Sequence, residues 1–334
     1  MCNYDKPFLS YDEMIQLLID RGLIINDIDF ARSTLSFMSY YTIINGYLDS
    51  RLYDKSSDHF KNRTTFEDLY FLHIIDTSLD ALLLKNILYI EIALKSRISH
   101  IVSKEHGVWT DYNDFTNSNP ADYLCRDNYD THAGRSAKLL HDLKKTIQNP
   151  ILSSDSISHY KNFHNHVPAW ILTSGISFYT AIQWFMILKG PDKTFVANEF
   201  IPTASLSDMD KKEYLRLSLD LMRDFRNKIA HGHPTFSIVS KKVQLPKVAL
   251  LNLSDGIVGS SDYTDIYARS GLLGIIAAIY SLLNDSFLKS LFYEECHSIL
   301  SKYIEDDIRI AGVPVLDLFH LPSDILLRMN SQRR

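Results

Sequence analysis

The sequence predicts an all-α protein, on three observations. Glycine and proline number only 12 and 10 in 334 residues, a scarcity that favours long helices over a turn-rich sheet protein. Apolar residues recur at helical spacing, Leu215, Leu219, Met222, Phe225 and Ile229 forming one such stripe with polar residues between. Start and stop signals bracket these stretches. With 46% hydrophobic residues, the chain can bury one sizeable core or two modest ones.

Ser10-Tyr11-Asp12-Glu13 is a capping box that opens a first helix to Arg21, with Gly22 as its stop. A second helix is expected over Asp27 to Met38 and a short third over Tyr40 to Leu52. The polar stretch Asp54 to Arg63 reads as a linker, so residues 1–60 are expected to form a helical arm on a main helical domain of residues 61–334. Thr65 to Asp68 starts a run without glycine or proline that stops at Gly107. A single helix there would reach about 60 Å at 1.5 Å per residue; two helices broken near Leu84 to Asn86 fit equally. Trp109 to Asp130 reads as a surface loop, and a helix from Thr131 to Gln148 comes after it. Pro168 suits the first residue of a helix through Leu188. Helices are expected again over Ser207 to His231, Ser270 to Asn284 and Ser286 to Ile304. Between them Ile238, Val239, Val243 and Val248 predict a short strand or β-hairpin within 236–253. Residues 255–334 carry no motif that points to a role.

Composition excludes several classes of function. The three cysteines, Cys2, Cys125 and Cys296, are odd in number and widely separated, so neither a disulfide framework nor a zinc cluster is expected, and the expected compartment is a reducing cytoplasm. Met1 to Ser10 lacks the basic start and long apolar run of a secretory leader. The most apolar window, Gly271 to Leu283, is too short to span a bilayer, and no membrane partner is expected. A formal net charge of −5 argues against indiscriminate nucleic-acid binding, so any RNA contact must be local. His159, His164 and His166 lack neighbouring carboxylate or cysteine ligands and read as solvent-exposed. No metal or cofactor is called for.

The stretch Arg223-Asp224-Phe225-Arg226-Asn227-Lys228-Ile229-Ala230-His231-Gly232-His233-Pro234 carries the chemistry. Arg226 can hold a phosphate as a permanent cation, Asn227 can fix an oxygen or the imidazole, and His231 can move protons near neutral pH. Together these suit metal-free RNA cleavage. Spacing alone is not diagnostic, because Arg126 with His132 and Arg135 with His141 repeat it. Context adds weight: Gly232 and Pro234 stop the helix, Asn227 and His231 share one face, and Arg226 borders it with Arg223 one turn earlier. The macrodipole favours a protonated histidine at such a helix end. Two readings fit these residue types: a phosphate site, or a cap in which His231 bonds the helix carbonyls and Arg226 pairs with Asp220, Asp224 or another acid.

Arg226-Asn227-Lys228-Ile229-Ala230-His231 resembles the Arg-Asn-x-x-x-His signature of the HEPN superfamily of small all-helical domains, which includes many RNA-cleaving toxins and defence proteins. Lys6 to Tyr11 with Leu17 to Leu23 after it resembles the opening of the Abi family of bacterial abortive-infection proteins, the AbiD and AbiF group. Tyr40-Tyr41-Thr42-Ile43-Ile44-Asn45-Gly46-Tyr47 is similar to its tyrosine-rich second block, Ile90 to Ile98 to its long helix, and Pro168 to Leu172 with Ser177-Phe178 to its tryptophan block. The five blocks run in order across roughly two thirds of the chain. The resemblance implies a HEPN-like helical bundle over 61–334 and an RNase-like effector that aborts phage infection or arrests growth. It implies a homodimer that brings two signature helices together, and in some relatives a small-RNA antitoxin. No tyrosine lies two residues after His231; His233 stands there, so control by tyrosine modification is not expected.

On this reading the 2′-hydroxyl of RNA attacks its own phosphate, His231 acts as acid or base, Arg226 stabilises the phosphoryl charge and Asn227 positions the imidazole. Arg223, Lys228 and His233 are the expected substrate contacts, with Lys144, Lys145, Lys241, Lys242 and Lys247 as extensions. Glu91 either orients His231 or Arg226 across the bundle or simply pairs with Lys95 one turn on. Tyr40, Tyr41 and Tyr47 read as packing residues more readily than as base-stacking ones. The competing function is a non-catalytic RNA-binding or sensing module on the same fold.

Overall fold

Capping chemistry sets most helix boundaries in the computed structural model, which describes residues 6–48, 52–61, 63–116, 118–130, 135–149, 151 and 154–330. Cys2 therefore lies outside the described residues. Helix α1 (Tyr11–Asp20) opens on the capping box: the Ser10 hydroxyl accepts from the Glu13 N–H, and the Glu13 carboxylate accepts from the Ser10 N–H at 2.7 Å. Gly22, at φ +79°, turns the chain away from it. Helix α2 (Ile28–Met38) is capped by Asp27, which accepts from the Phe30 N–H at 2.9 Å. Helix α3 (Tyr40–Ile43) passes into a 3₁₀ turn over Asn45–Tyr47, shorter than the expected run to Leu52. The expected linker is instead a small hairpin in which β1 (Tyr53–Asp54) pairs antiparallel with β2 (His59–Phe60). Arg21 ties it to α1 through Asp58 at 3.1 Å.

Helix α4 (Phe66–His106) is one unbroken helix of 41 residues. At the suspected break, Asn86 is buried and its side-chain amide donates to the Leu82 carbonyl at 2.8 Å. The polar residue is thus satisfied inside the helix and gives it no reason to end. Its buried residues recur every three to four positions as one broad stripe, while Ile74, Leu88 and Ile92 on the opposite side are exposed.

After the loop through Asp130, which includes a 3₁₀ turn over Arg126–Asn128, come α5 (Ser136–Gln148) and α6 (Asp155–Phe163). The expected start of α5 at Thr131 lies outside the described residues. The single helix expected from Pro168 to Leu188 is two, α7 (Ala169–Leu172) and α8 (Phe178–Ile187). The residues between them cause the break: a 3₁₀ turn ends at Gly175, and Ser177 starts a new helix by accepting from the Thr180 N–H at 3.1 Å. Helix α9 (Gly190–Phe200) leads to α10 (Asp208–Ala230), capped by Ser207 as expected. Helices α4, α7, α8, α9 and α10 pack together, with α4 in contact with each of the others.

The strand or hairpin expected within 236–253 is not formed. The segment holds a 3₁₀ turn over Thr235–Ser237 and helix α11 (Lys247–Leu253). Ile238 and Val243 are buried, and the backbone around them bonds not to a partner strand but to the end of α12 (Ile266–Ser270), Ser240 N–H to the Ser270 carbonyl and Leu245 N–H to the Arg269 carbonyl, both at 2.9 Å. Core packing overrides β-propensity here. Helix α13 (Leu272–Leu282) buries the most apolar window, and α14 (Ser286–Glu305) lies along α4. A second small hairpin of β3 (Arg309–Ile310) and β4 (Val313–Pro314) precedes α15 (Val315–Leu318) and α16 (Ile325–Asn330). The fold is all-α, and one cluster of buried side chains runs from Ile15 to Met329. Among the described residues, no helix is long and apolar enough to cross a membrane.

Candidate active site at the end of α10

The last turn of α10 closes with backbone alone. Gly232, at φ +73°, donates its N–H to the Ile229 carbonyl at 2.9 Å, and His233 donates its N–H to the Lys228 carbonyl at 3.0 Å. This pair of bonds is a Schellman motif, which satisfies the orphan carbonyls of a helix terminus. The His231 imidazole is thereby released from capping. It is exposed, as are Arg226, Asn227 and His233. Among the described residues none of these four side chains makes a hydrogen bond or ion pair.

The acids named as alternative partners of Arg226 are taken by another arginine. Arg223 pairs with Asp220 at 3.1 Å and with Asp224 at 3.8 Å, and its guanidinium lies 5.5 Å from the centre of the Tyr179 ring on α8. Arg216 also reaches Asp220, at 3.7 Å. Burial pushes the Asp220 carboxyl up, and the two arginines oppose that shift. Asp224 in addition accepts from the Ser240 hydroxyl at 2.6 Å. Lys228 donates to the Val239 carbonyl at 3.0 Å, which leaves its ammonium two further donors. The arrangement therefore presents one unpaired guanidinium, one carboxamide and two imidazoles on a helix end whose neighbouring charges are already neutralised.

The segment after His233 is held from below. The Asp76 carboxylate of α4, buried, accepts from the N–H of Thr235 at 3.2 Å and of Phe236 at 3.4 Å, and Asp80 one turn on accepts from the Thr235 hydroxyl. Burial and the neighbouring Asp80 push the Asp76 carboxyl well above the usual range, against the pull of the two amides. Burial raises Asp80 to about 6, opposed by the Thr235 hydroxyl. Tyr47 stacks on Phe236 with ring centres 5.5 Å apart, and its hydroxyl meets His73 Nδ1 at 3.0 Å. A Cβ on Gly46 would stand 3.1 Å from Pro234 Cγ, so the tyrosine-rich block lies directly against the segment.

Sequence reasoning missed Asp76 and Asp80. The signal was present: two acids four residues apart, each after an apolar residue of the helical stripe, in Ile74-Ile75-Asp76-Thr77-Ser78-Leu79-Asp80-Ala81-Leu82, where buried carboxylates need a specific partner. Glu91 pairs with Lys95 at 2.7 Å, both side chains largely buried, so the simpler of its two readings is the one seen. Lys144 is buried, donates to the Asp114 carbonyl at 2.8 Å and lies 3.7 Å from Asp122; it cannot extend an RNA-facing patch. Tyr47 is buried and Tyr40 half-buried, while Tyr41 is exposed. His159 meets His164 and Tyr160 edge-on, His164 lies tilted against Tyr160, and His166 contacts Asn165 at 2.7 Å. Among the described residues no group of three or more His, Cys, Asp or Glu side chains is placed to hold a metal ion.

The Abi-like protein family model matches residues 33–237, more than half of the chain. The chain belongs to that family. No curated protein and no solved structure matches it. The two ends of the Abi-like match meet in space: Gly46 and Tyr47 near its beginning pack on Pro234 and Phe236 near its end. The matched span therefore closes on itself around α4, with the end of α10 at the point of closure. The tryptophan block also lies within the Abi-like span, where Pro168 opens α7, Ser177 caps α8, and Trp170 is half-exposed.

Proposed function

We propose that the end of α10 is the active site of a metal-independent endoribonuclease, a HEPN-like effector of bacterial abortive infection that stops phage growth by cutting RNA. The observation that carries this reading is the set of free polar groups there: backbone caps the helix, Arg223 takes the acids, and Arg226, Asn227 and His231 reach solvent. A residue needed only as a cap or an ion-pair partner would be engaged.

In the reaction, Arg226 holds the scissile phosphate, and the 2′-hydroxyl attacks phosphorus as a proton leaves it. The leaving 5′-oxygen takes up a proton, so the products carry a 2′,3′-cyclic phosphate and a 5′-hydroxyl. His231 performs one of these transfers, Asn227 orients its ring, and Arg226 stabilises the charge that builds on the phosphoryl oxygens. The second transfer falls to His231 of a partner copy in a homodimer or to His233 of the same chain. Lys228 adds positive charge beside the phosphate with its remaining donors. A small-RNA antitoxin that occupies the same groups would keep the enzyme silent in healthy cells.

Labelled total RNA incubated in EDTA with wild type and with His231→Ala tests the reading. Cleavage by wild type alone, leaving cyclic-phosphate ends, supports it. Tight binding by both proteins without cleavage favours the non-catalytic sensing module.

A further inference from the structure

We propose that the cleft between α5 and α8 is a subsite for a single-stranded RNA segment next to the scissile phosphate, with Tyr179 stacking a base and Arg135 and Lys138 holding its backbone. The proposal rests on the ribonuclease reading of α10 and names where the substrate strand runs from it. The cleft has a volume of about 370 Å³ and is lined in part by Arg135, Lys138, Asp142, Tyr179 and Gln183. That size falls within the roughly 300–1,000 Å³ of ligand clefts.

Four observations point to a nucleic-acid strand. Tyr179 is 54% exposed although it sits in the first turn of α8, a largely buried helix packed against α4 and α10. An exposed ring beside cations is a platform for a base, and every base has a π-face to offer it. Arg135 and Lys138 lie three residues apart at the start of α5, both exposed, and neither makes an ion pair among the described residues. Asp142 and Gln183 put hydrogen-bonding groups at the rim for a base edge. Finally, the cleft connects to the site: Arg223 lies over the Tyr179 ring at 5.5 Å, is fixed there by Asp220, and stands one helical turn before Arg226 and Asn227. A strand with its phosphate on Arg226 would pass Arg223 and reach Tyr179 without leaving the α10 surface. The overall charge of −5 does not oppose this, since a local contact needs only local cations, and Arg135, Lys138 and Arg226 are exposed there without ion-pair partners among the described residues.

Fluorescence anisotropy with a short labelled single-stranded RNA carrying 2′-O-methyl groups, which block attack at the 2′ position, tests the cleft on the full chain. Tyr179→Ala should weaken binding roughly ten-fold, as expected for the loss of one stacked base, while Tyr179→Phe binds as wild type does. Arg135→Ala/Lys138→Ala should make the dependence of log Kd on log salt shallower by about 1.4, or about 0.7 for each phosphate no longer neutralised. Should Tyr179→Ala melt early, the salt dependence of the double variant still decides the matter. Strong wild-type binding that none of these changes alters overturns the cleft and leaves the ribonuclease reading intact. Absence of RNA binding by wild type, together with absence of cleavage of unmodified RNA, overturns both.

Discussion

Two polar regions of this Abi-like chain place their side chains in opposite ways. Around Tyr129 the groups bond one another in series: the Trp184 indole donates to the Tyr129 hydroxyl at 3.0 Å, Tyr129 donates to the Tyr123 carbonyl at 2.7 Å, and Tyr123 donates to the Val167 carbonyl at 2.8 Å. His106 meets Asp192 nearby at 3.1 Å. At the end of α10 an arginine, an asparagine and two histidines point outward, and backbone amides do the capping instead. The first region fastens the loop through Asp130 to α8. The second is polar and exposed, and its side chains hold no other part of the fold in place among the described residues.

Breaking each region should therefore give different kinds of loss. The largest effect is expected from Arg226→Ala, which should lower RNA cleavage by roughly 10²–10³, the usual consequence of removing one stabiliser of developing charge. Its unfolding midpoint should stay close to wild type, since surface changes away from structural features usually stay within about 0.5 kcal/mol. Single-turnover assays beside a thermal melt check both halves.

Tyr129→Phe should do the reverse. It strands the buried Trp184 N–H and the Tyr123 carbonyl, at a cost of about 2–3 kcal/mol by urea denaturation, while cleavage per folded molecule is unchanged. Asp76→Ala falls between the two. It removes the acceptor for Thr235 and Phe236 and should cost about 2 kcal/mol, and because it frees the segment after His233 it should also lower the cleavage rate at saturating RNA.

The smallest effect is a pH dependence. Burial raises Asp80 to about 6, above its value in the unfolded chain, so the folded state holds the proton more tightly. The stability this lends is fully present below the unfolded value and is lost as pH rises through about 6. Asp80→Asn, which stays neutral and can still accept from Thr235, should flatten that part of the stability profile and be more stable than wild type at neutral pH. Denaturation midpoints measured on either side of that pH decide it.

Much of the helical frame was legible because caps are local chemistry. Ser10 with Glu13, Asp27, Thr65 with Asp68, and Ser207 each sit where the sequence places a helix start. The misses arise where distant contacts decide. The β-branched residues near Val243 fill the core because Ser240 and Leu245 bond to the end of α12, which no local pattern announces. The break between α7 and α8 needed Gly175 and Ser177 to be weighed above Pro168. At the candidate site, Arg226, Asn227 and His231 were legible as a motif, and Gly232 marked their common helix end. What could not be read was partnership: that Arg223 rather than Arg226 takes Asp220, that Glu91 turns to Lys95, and that Asp76 and Asp80 grip Thr235 from a helix more than a hundred residues earlier in the chain. Those are tertiary facts.

One preparation of His231→Ala, measured both for its denaturation midpoint and for its single-turnover rate on RNA in EDTA, tests the central claim most directly. A free imidazole predicts a midpoint equal to that of wild type and a rate at least about a hundred-fold lower, the minimum usually lost with a general acid or base. Cleavage at the wild-type rate, or a fall in rate matched by a fall in stability, would contradict a role for His231 in the chemistry.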